Sequence, residues 1–248
     1  MKKLFFCAAA LLMAILFTAC TKDDDESSDG GGNTPAYYVT RVETFNSDDN
    51  TLMSTATLEY DEQNRLIAVN DISLVYEGNK LIWIEDGNQG DTLLLNDKGF
   101  PIIDGSVRHE YDNDGYLMKI LHAYDSGFDD YFDDCFIWEN GDLIEIHSNN
   151  SNNTVTYSYY YSYYDYINNQ NLWIEVMSPD VDNYSFLICC GRNTRHLMKS
   201  QRIETDGYIV YFNYKYELDS KGRPVTIYEE WKDSYGGTHN YTYKLSYK

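Results

Sequence analysis

From about residue 37 onward, short apolar or aromatic runs alternate with short polar runs rich in Gly, Asn and Asp. One unit recurs: an apolar strand, an acidic turn, and a second apolar strand. It spans Leu58 to Val69, Leu74 to Ile84, Leu93 to Ile103, His109 to Leu121, Phe136 to Ile146 and Tyr214 to Tyr228. Each copy reads as a β-hairpin. Asn140-Gly141 and Gly78-Asn79 have the composition of two-residue turns, which need positive φ. Asp97-Lys98-Gly99 and Asp219-Ser220-Lys221-Gly222 suit longer loops with glycine in the left-handed position. The flanks are β-branched and aromatic, which favours strands, and no stretch after the first 20 residues carries a helical period.

Alternation says how these hairpins pack. Thr55, Thr57 and Glu59 oppose Ala56, Leu58 and Tyr60, a one-sided strand, whereas Leu81 to Ile84 and Leu117 to Leu121 are apolar on both faces. A long meander with one buried face must curl or close to protect its core and edges. The expected fold is therefore all-β, an antiparallel meander curled into a soluble barrel or half-barrel. Turn spacing predicts strand arms of about five to seven residues, below the roughly 9–11 of a membrane-spanning strand.

The N-terminus follows different rules. Lys2 and Lys3 precede an apolar run from Leu4 to Phe17, then Thr18, Ala19 and Cys20. This is the layout of a cleaved secretory signal, expected as a helix over residues 1–19. The run is shorter than the roughly 20 residues that span a bilayer. Phe17-Thr18-Ala19-Cys20 resembles the bacterial lipobox, which implies cleavage before Cys20 and acylation of its thiol. Residues 20–36 hold Asp23-Asp24-Asp25-Glu26 and a Ser/Gly/Asn-rich stretch, the composition of a flexible tether. The acidic run resembles the export signal of Bacteroidetes-type surface lipoproteins, which implies the outer membrane facing the exterior; a spacer facing the periplasm is the alternative. Residues 37–248 remain as a single β domain.

The hairpins resemble the YD repeats of Rhs-type proteins. Together with the lipobox and acidic tether they are similar to a Bacteroidetes secreted lipoprotein family of unknown function with a porin-like fold. Gly191 to Ser200 resembles a loop-plus-strand element of that family, departing at Leu197-Met198. The resemblance implies architecture and compartment, with no catalytic residue to transfer.

Composition narrows the partners. The formal net charge is −21, and removal of residues 1–19 takes two lysines and no acid. Such a field repels nucleic acid and anionic lipid surfaces. Twenty-five tyrosines argue for a folded domain beneath the acids. Beyond Cys20, the mature chain holds Cys135, Cys189 and Cys190, an odd set that reads as free thiols or as one bridge from Cys135 to one of the adjacent pair. No zinc spacing and no cofactor motif occurs.

Two stretches carry candidate chemistry. The tract from Tyr157 to Tyr166 places Tyr157, Tyr159, Tyr161 and Tyr163 on one face; with Trp138 and Trp173 they form a tentative ligand-binding set, either an aromatic platform or core. The segment Asp125 to Asp134 reads as an acidic loop in which Asp129, Asp130, Asp133 and Asp134 offer hard oxygen ligands, although the spacing is not that of an EF-hand. No HExxH, His-x-His or GxSxG is present, so the chain reads as a non-enzyme. The expectation is a membrane-tethered binding module for a glycan or an envelope protein, with a structural envelope component and a carboxylate-based glycoside hydrolase as alternatives.

Overall fold

The hairpin turns dictate the architecture. The computed structural model describes residues 37–248 except 86, 105–106, 125–126, 151–153 and 169–191. It contains β1 (Val39–Asn46), β2 (Leu52–Tyr60), β3 (Leu66–Val69), β4 (Ile72–Glu77), β5 (Lys80–Glu85), β6 (Asn88–Leu95), β7 (Pro101–Asp104), β8 (Val107–Tyr111), β9 (Leu117–Tyr124), β10 (Gly127–Glu139), β11 (Asp142–Asn149), β12 (Val155–Ile167), β13 (His196–Thr205), β14 (Tyr208–Leu218), β15 (Pro224–Asp233) and β16 (Thr238–Tyr247). Each strand pairs antiparallel with its sequence neighbours, and β1 pairs with β16. The meander is a closed sixteen-stranded barrel, not a half-barrel. The signal segment, Cys20, the tether, Trp173, Cys189 and Cys190 lie outside the described residues.

Up-and-down connectivity gives the barrel two different ends. The proximal end is where the chain enters at Tyr37 and where every even-numbered strand stops. There the longer turns share one device. The side chains of Asp61, Asn96, Asp112 and Asp219 each accept two backbone N–H bonds from the turn they begin, at 2.8–3.0 Å. The residue three places later, Asn64, Gly99, Gly115 or Gly222, takes positive φ. That is the Asx-turn and left-handed combination favoured by these residue types. At the distal end, shorter links close each odd–even hairpin.

An aromatic pin then sets seven of the eight hairpins, all but β5–β6, at their open, proximal ends. Tyr60, Tyr76, Tyr111, Trp138, Tyr163, Tyr216 and Tyr247 stand at or near the ends of even-numbered strands. Each donates to a carbonyl near the start of the preceding odd strand: Val39, Leu66, Pro101, Leu117, Leu143, Met198 and Pro224, at 2.5–3.2 Å. Burial pushes the Tyr60, Tyr216 and Tyr247 hydroxyls well above the ordinary phenol range, so they remain donors.

The core fills the lumen. Leu66, Leu143, Ile146, Ile227 and Tyr243 are fully buried, in one cluster that draws residues from both halves of the chain. A round barrel of sixteen strands leaves an aqueous channel. Here inward side chains from both halves of the chain instead join one buried cluster, so much of the lumen is packed. Outward positions carry Glu43, Thr57, Arg202, Lys215, Glu230 and Lys244, with ion pairs such as Arg202–Glu204 and Lys232–Glu230. A membrane barrel is apolar outside and polar inside. The positions named here are the reverse.

Two expectations need correction. The strands lengthen along the chain, to 13 residues in β10 and β12 and 10 or 11 from β13 to β16. No turn residue interrupts the tyrosine tract, so the ladder continues. Residues 127–134 are not a loop but the first part of β10, paired with β9 and, from Asp133, with β11. Strand alternation puts Asp133 and Asp134 on opposite faces: Asp133 bonds to Lys119 and Asn149, and Asp134 to His122 and Ser148. The side chains of Asp129 and Asp130 lie outside the described set. Among the described residues, no group of three or more His, Cys, Asp or Glu is placed to hold a metal ion.

Candidate functional site

The long strands of the second half reach past the core, so their distal ends form a mouth. Ladder register aligns its floor. His109, Ile120, Asp134, Ser148, Tyr157, Thr205 and Tyr208 are successive partners from β8 to β14 on the lumenal face. One arc of this row is polar and the other aromatic.

On the polar arc, Asp134 is buried and accepts from Ser148 Oγ and from His122 Nε2, the latter at 3.0 Å. His109 lies beside them at 3% exposure, with no hydrogen-bond partner for either ring nitrogen among the described residues. Burial, reinforced by the neighbouring His122, pushes its imidazole down to about 4. The carboxylate stands between serine and histidine, so the imidazole is not positioned to take the serine proton. On the outer wall His147 does sit between Ser158 and Glu145, at 3.1 and 3.2 Å. The flanking backbone N–H groups there belong to the strand ladders, which leaves no donor pair aimed at a developing oxyanion. Neither cluster has the geometry of a serine hydrolase.

The aromatic arc is accessible. Tyr235, in the β15–β16 turn, is 81% exposed and stacks on Tyr208 with ring centroids 5.4 Å apart and planes at 23°. Its backbone is held in place: Asp233 Oδ1 accepts from the N–H groups of Tyr235 and Gly237, both at 2.8 Å. Tyr157 is 45% exposed, and Trp231 packs its ring on His239 at 4.8 Å. Burial and the nearby Asp233 carboxylate raise the Tyr208 hydroxyl above the usual phenol range. Flat rings beside fixed carboxylate acceptors suit a ligand with apolar faces and hydroxyl donors.

The residues singled out from sequence are spread along the barrel. Tyr157 joins the distal mouth, Tyr159 and Tyr161 are buried at 9% in the core, and Tyr163 and Trp138 are proximal pins. Sequence reasoning missed Tyr208, Tyr235, His122 and Asp233. The signal available was a tyrosine beside each of two turns, Asp206-Gly207-Tyr208 and Ser234-Tyr235-Gly236-Gly237.

Two solved structures share this architecture. A porin-like protein from Bacteroides uniformis ATCC 8492 aligns over 85% of this chain and 100% of its own, with TM-score 0.61 and 15% identity. A porin-like protein from Bacteroides vulgatus ATCC 8482 aligns over 86% of this chain and 99% of its own, with TM-score 0.57 and 19% identity. The likeness is one of fold. No protein-family model and no curated protein matches the chain.

Proposed function

We propose that this chain is a non-catalytic binding module of the cell envelope, tethered by an acyl chain on Cys20 and reading an uncharged, hydroxyl-rich ligand such as a glycan at the distal mouth. The observation that carries the reading is the exposed, turn-anchored Tyr208–Tyr235 stack beside Asp233, with Tyr157 in the same register row. Signal cleavage before Cys20, an acidic tether over 20–36 and a barrel over 37–248 complete the proposal. The lipobox-like motif and the acidic run support an outward-facing outer-membrane location.

Charge selects among ligands. Among the described residues, the distal connections hold Asp48, Asp49, Asp71 and Asp206 and no Lys or Arg, so acidic polysaccharides are repelled. The same feature favours a second reading, a basic surface on another envelope protein. A glycan array probed with the full protein, with Tyr235→Ala as control, tests the first. The expected result is a set of neutral glycans lost in the variant and retained at high salt, where an electrostatic protein contact would weaken. A blank array, or hits indifferent to Tyr235, would sink it.

A further inference from the structure

The turn that begins at Asp61, Asn96, Asp112 and Asp219 on the proximal rim also closes the β15–β16 hairpin at the distal mouth, beginning at Asp233. The backbone matches throughout. Asp233 Oδ1 accepts from the N–H groups two and four places on, Gly236 N–H returns to the Asp233 carbonyl at 3.2 Å, and Gly236 takes positive φ. Asp61 and Asp219 make the same three contacts at 2.8–3.0 Å, with Asn64 and Gly222 at positive φ.

The copies differ at the fifth residue, where the second carboxylate oxygen finds its partner. Arg65 and Arg223 stand there in the Asp61 and Asp219 turns, and each donates Nε–H to that oxygen at 2.7 Å. Each guanidinium also lies on a tyrosine ring, Arg65 over Tyr76 at 4.4 Å and Arg223 over Tyr247 at 4.8 Å. A carboxylate beside a flat ring is thus a seat for a planar cation, held by ion pairing on one side and by the ring on the other. In the Asp112 turn the fifth residue is Tyr116, and Arg192 from another part of the chain lies over its ring at 5.7 Å.

In the Asp233 turn the fifth residue is Gly237, which has no side chain to give. A Cβ at 237 would lie 2.6 Å from Asp233 Oδ2, so the carboxylate leans into the space an arginine stem would need. Oδ2 accepts from the Tyr208 hydroxyl at 3.4 Å, longer than an ordinary O–H···O bond. The rings are present: Tyr208 and Tyr235 stack beside the carboxylate, and Tyr235 faces solvent. Among the described residues, no Lys or Arg pairs with Asp233 or lies over either ring. Lys232 next to it belongs to the outer face, where it pairs with Glu230 at 2.8 Å. The sequence supplies the carboxylate and the rings of this seat but not the arginine.

We infer that the distal seat takes an arginine side chain from another polypeptide, its guanidinium lying on Tyr235 and donating to Asp233 Oδ2. This deepens the second reading above, a basic protein partner, and rests on the distal mouth being the binding site. Lysine is the weaker occupant, because an ammonium offers neither the flat face nor the donor fork. A neutral glycan would compete for the same ring.

Asn96 shows which variant to use, since an amide there accepts the same two backbone bonds, both at 2.9 Å. Asp233→Asn should therefore keep the turn and lose only the charge. The full-length protein in neutral detergent is titrated calorimetrically with end-blocked Gly-Arg-Gly and Gly-Lys-Gly. The arginine peptide should bind, the lysine peptide should bind several-fold more weakly, and Asp233→Asn should weaken the arginine peptide by about tenfold. Gly237→Arg, which restores the residue type found at 65 and 223, should block the peptide by filling the seat from within. No heat from the arginine peptide, equal affinity for both peptides, or undiminished binding in either variant would overturn the inference. The glycan array separates it from the first reading. Neutral glycans that bind through Tyr235 while the arginine peptide does not would refute the seat and leave the glycan site standing; arginine binding with a blank array would do the reverse.

Discussion

The proximal and distal ends are built from the same residue type to opposite purposes. Proximal tyrosines point inward and spend their hydroxyls on backbone carbonyls, as Tyr216 does on Met198 at 2.6 Å. Distal tyrosines leave their rings in water, and Tyr235 meets the barrel through its stack and its own turn. A tyrosine count is thus uninformative without register. The strand end on which the ring falls decides whether it is structure or surface.

The largest expected break comes at the proximal end. Tyr216→Ala removes a partly buried ring and the donor to the Met198 carbonyl, and should lower stability by about 2–4 kcal/mol in denaturant unfolding; Tyr216→Phe should cost only about 1 kcal/mol. A loss under 1 kcal/mol for the alanine variant would deny the pins their role.

Next comes pH, which sharpens the contrast at the mouth. His109 is held neutral, its folded pKa of about 4 lying below the ordinary value of 6.5. The unfolded chain therefore binds the proton first. The stability that this group contributes is fully present above pH 6.5 and is lost as pH falls from 6.5 towards 4, by about 3 kcal/mol in all. Melting temperature should drop across that window in the native chain and fall less steeply in His109→Phe; equal slopes would refute the assignment.

Gly115→Ala should cost about 1–3 kcal/mol, since position 115 has φ +92° and a Cβ there would lie 2.8 Å from the Phe100 ring. Gly207, also at positive φ but with nothing within 4 Å of a Cβ, should respond less, and a reversed order would show that crowding does not set the cost at these two positions. Smallest of all, Tyr235→Ala should shift stability by less than about 0.5 kcal/mol while abolishing ligand capture. A large stability loss would make Tyr235 a packing residue after all.

Much of the fold was legible. Asn140-Gly141 and the Asp-x-x-Gly turns announced hairpins because positive φ restricts residue choice, and one-sided strands such as Thr55 to Tyr60 announced a buried face. Closure was not legible, because the β1–β16 ladder joins positions some two hundred residues apart and leaves no local mark. The length of β12 was hidden by the absence of turn residues. The site was less legible still. Tyr157 and Tyr163 share a face by alternation, yet they sit towards opposite ends of a 13-residue strand broken by register shifts. No periodicity reports depth along a barrel.

The pins have a consequence for how such a chain could change over generations. Each ties an even strand to the odd strand just before it, so each of the seven pinned pairs carries its own index mark and borrows none from its neighbours. Duplicating or deleting one such pair would leave every other mark in place, whereas gaining or losing a single strand would invert all that follows. Ring size should therefore drift in steps of two, with circumference free to vary while the internal alignment of each pair is inherited intact.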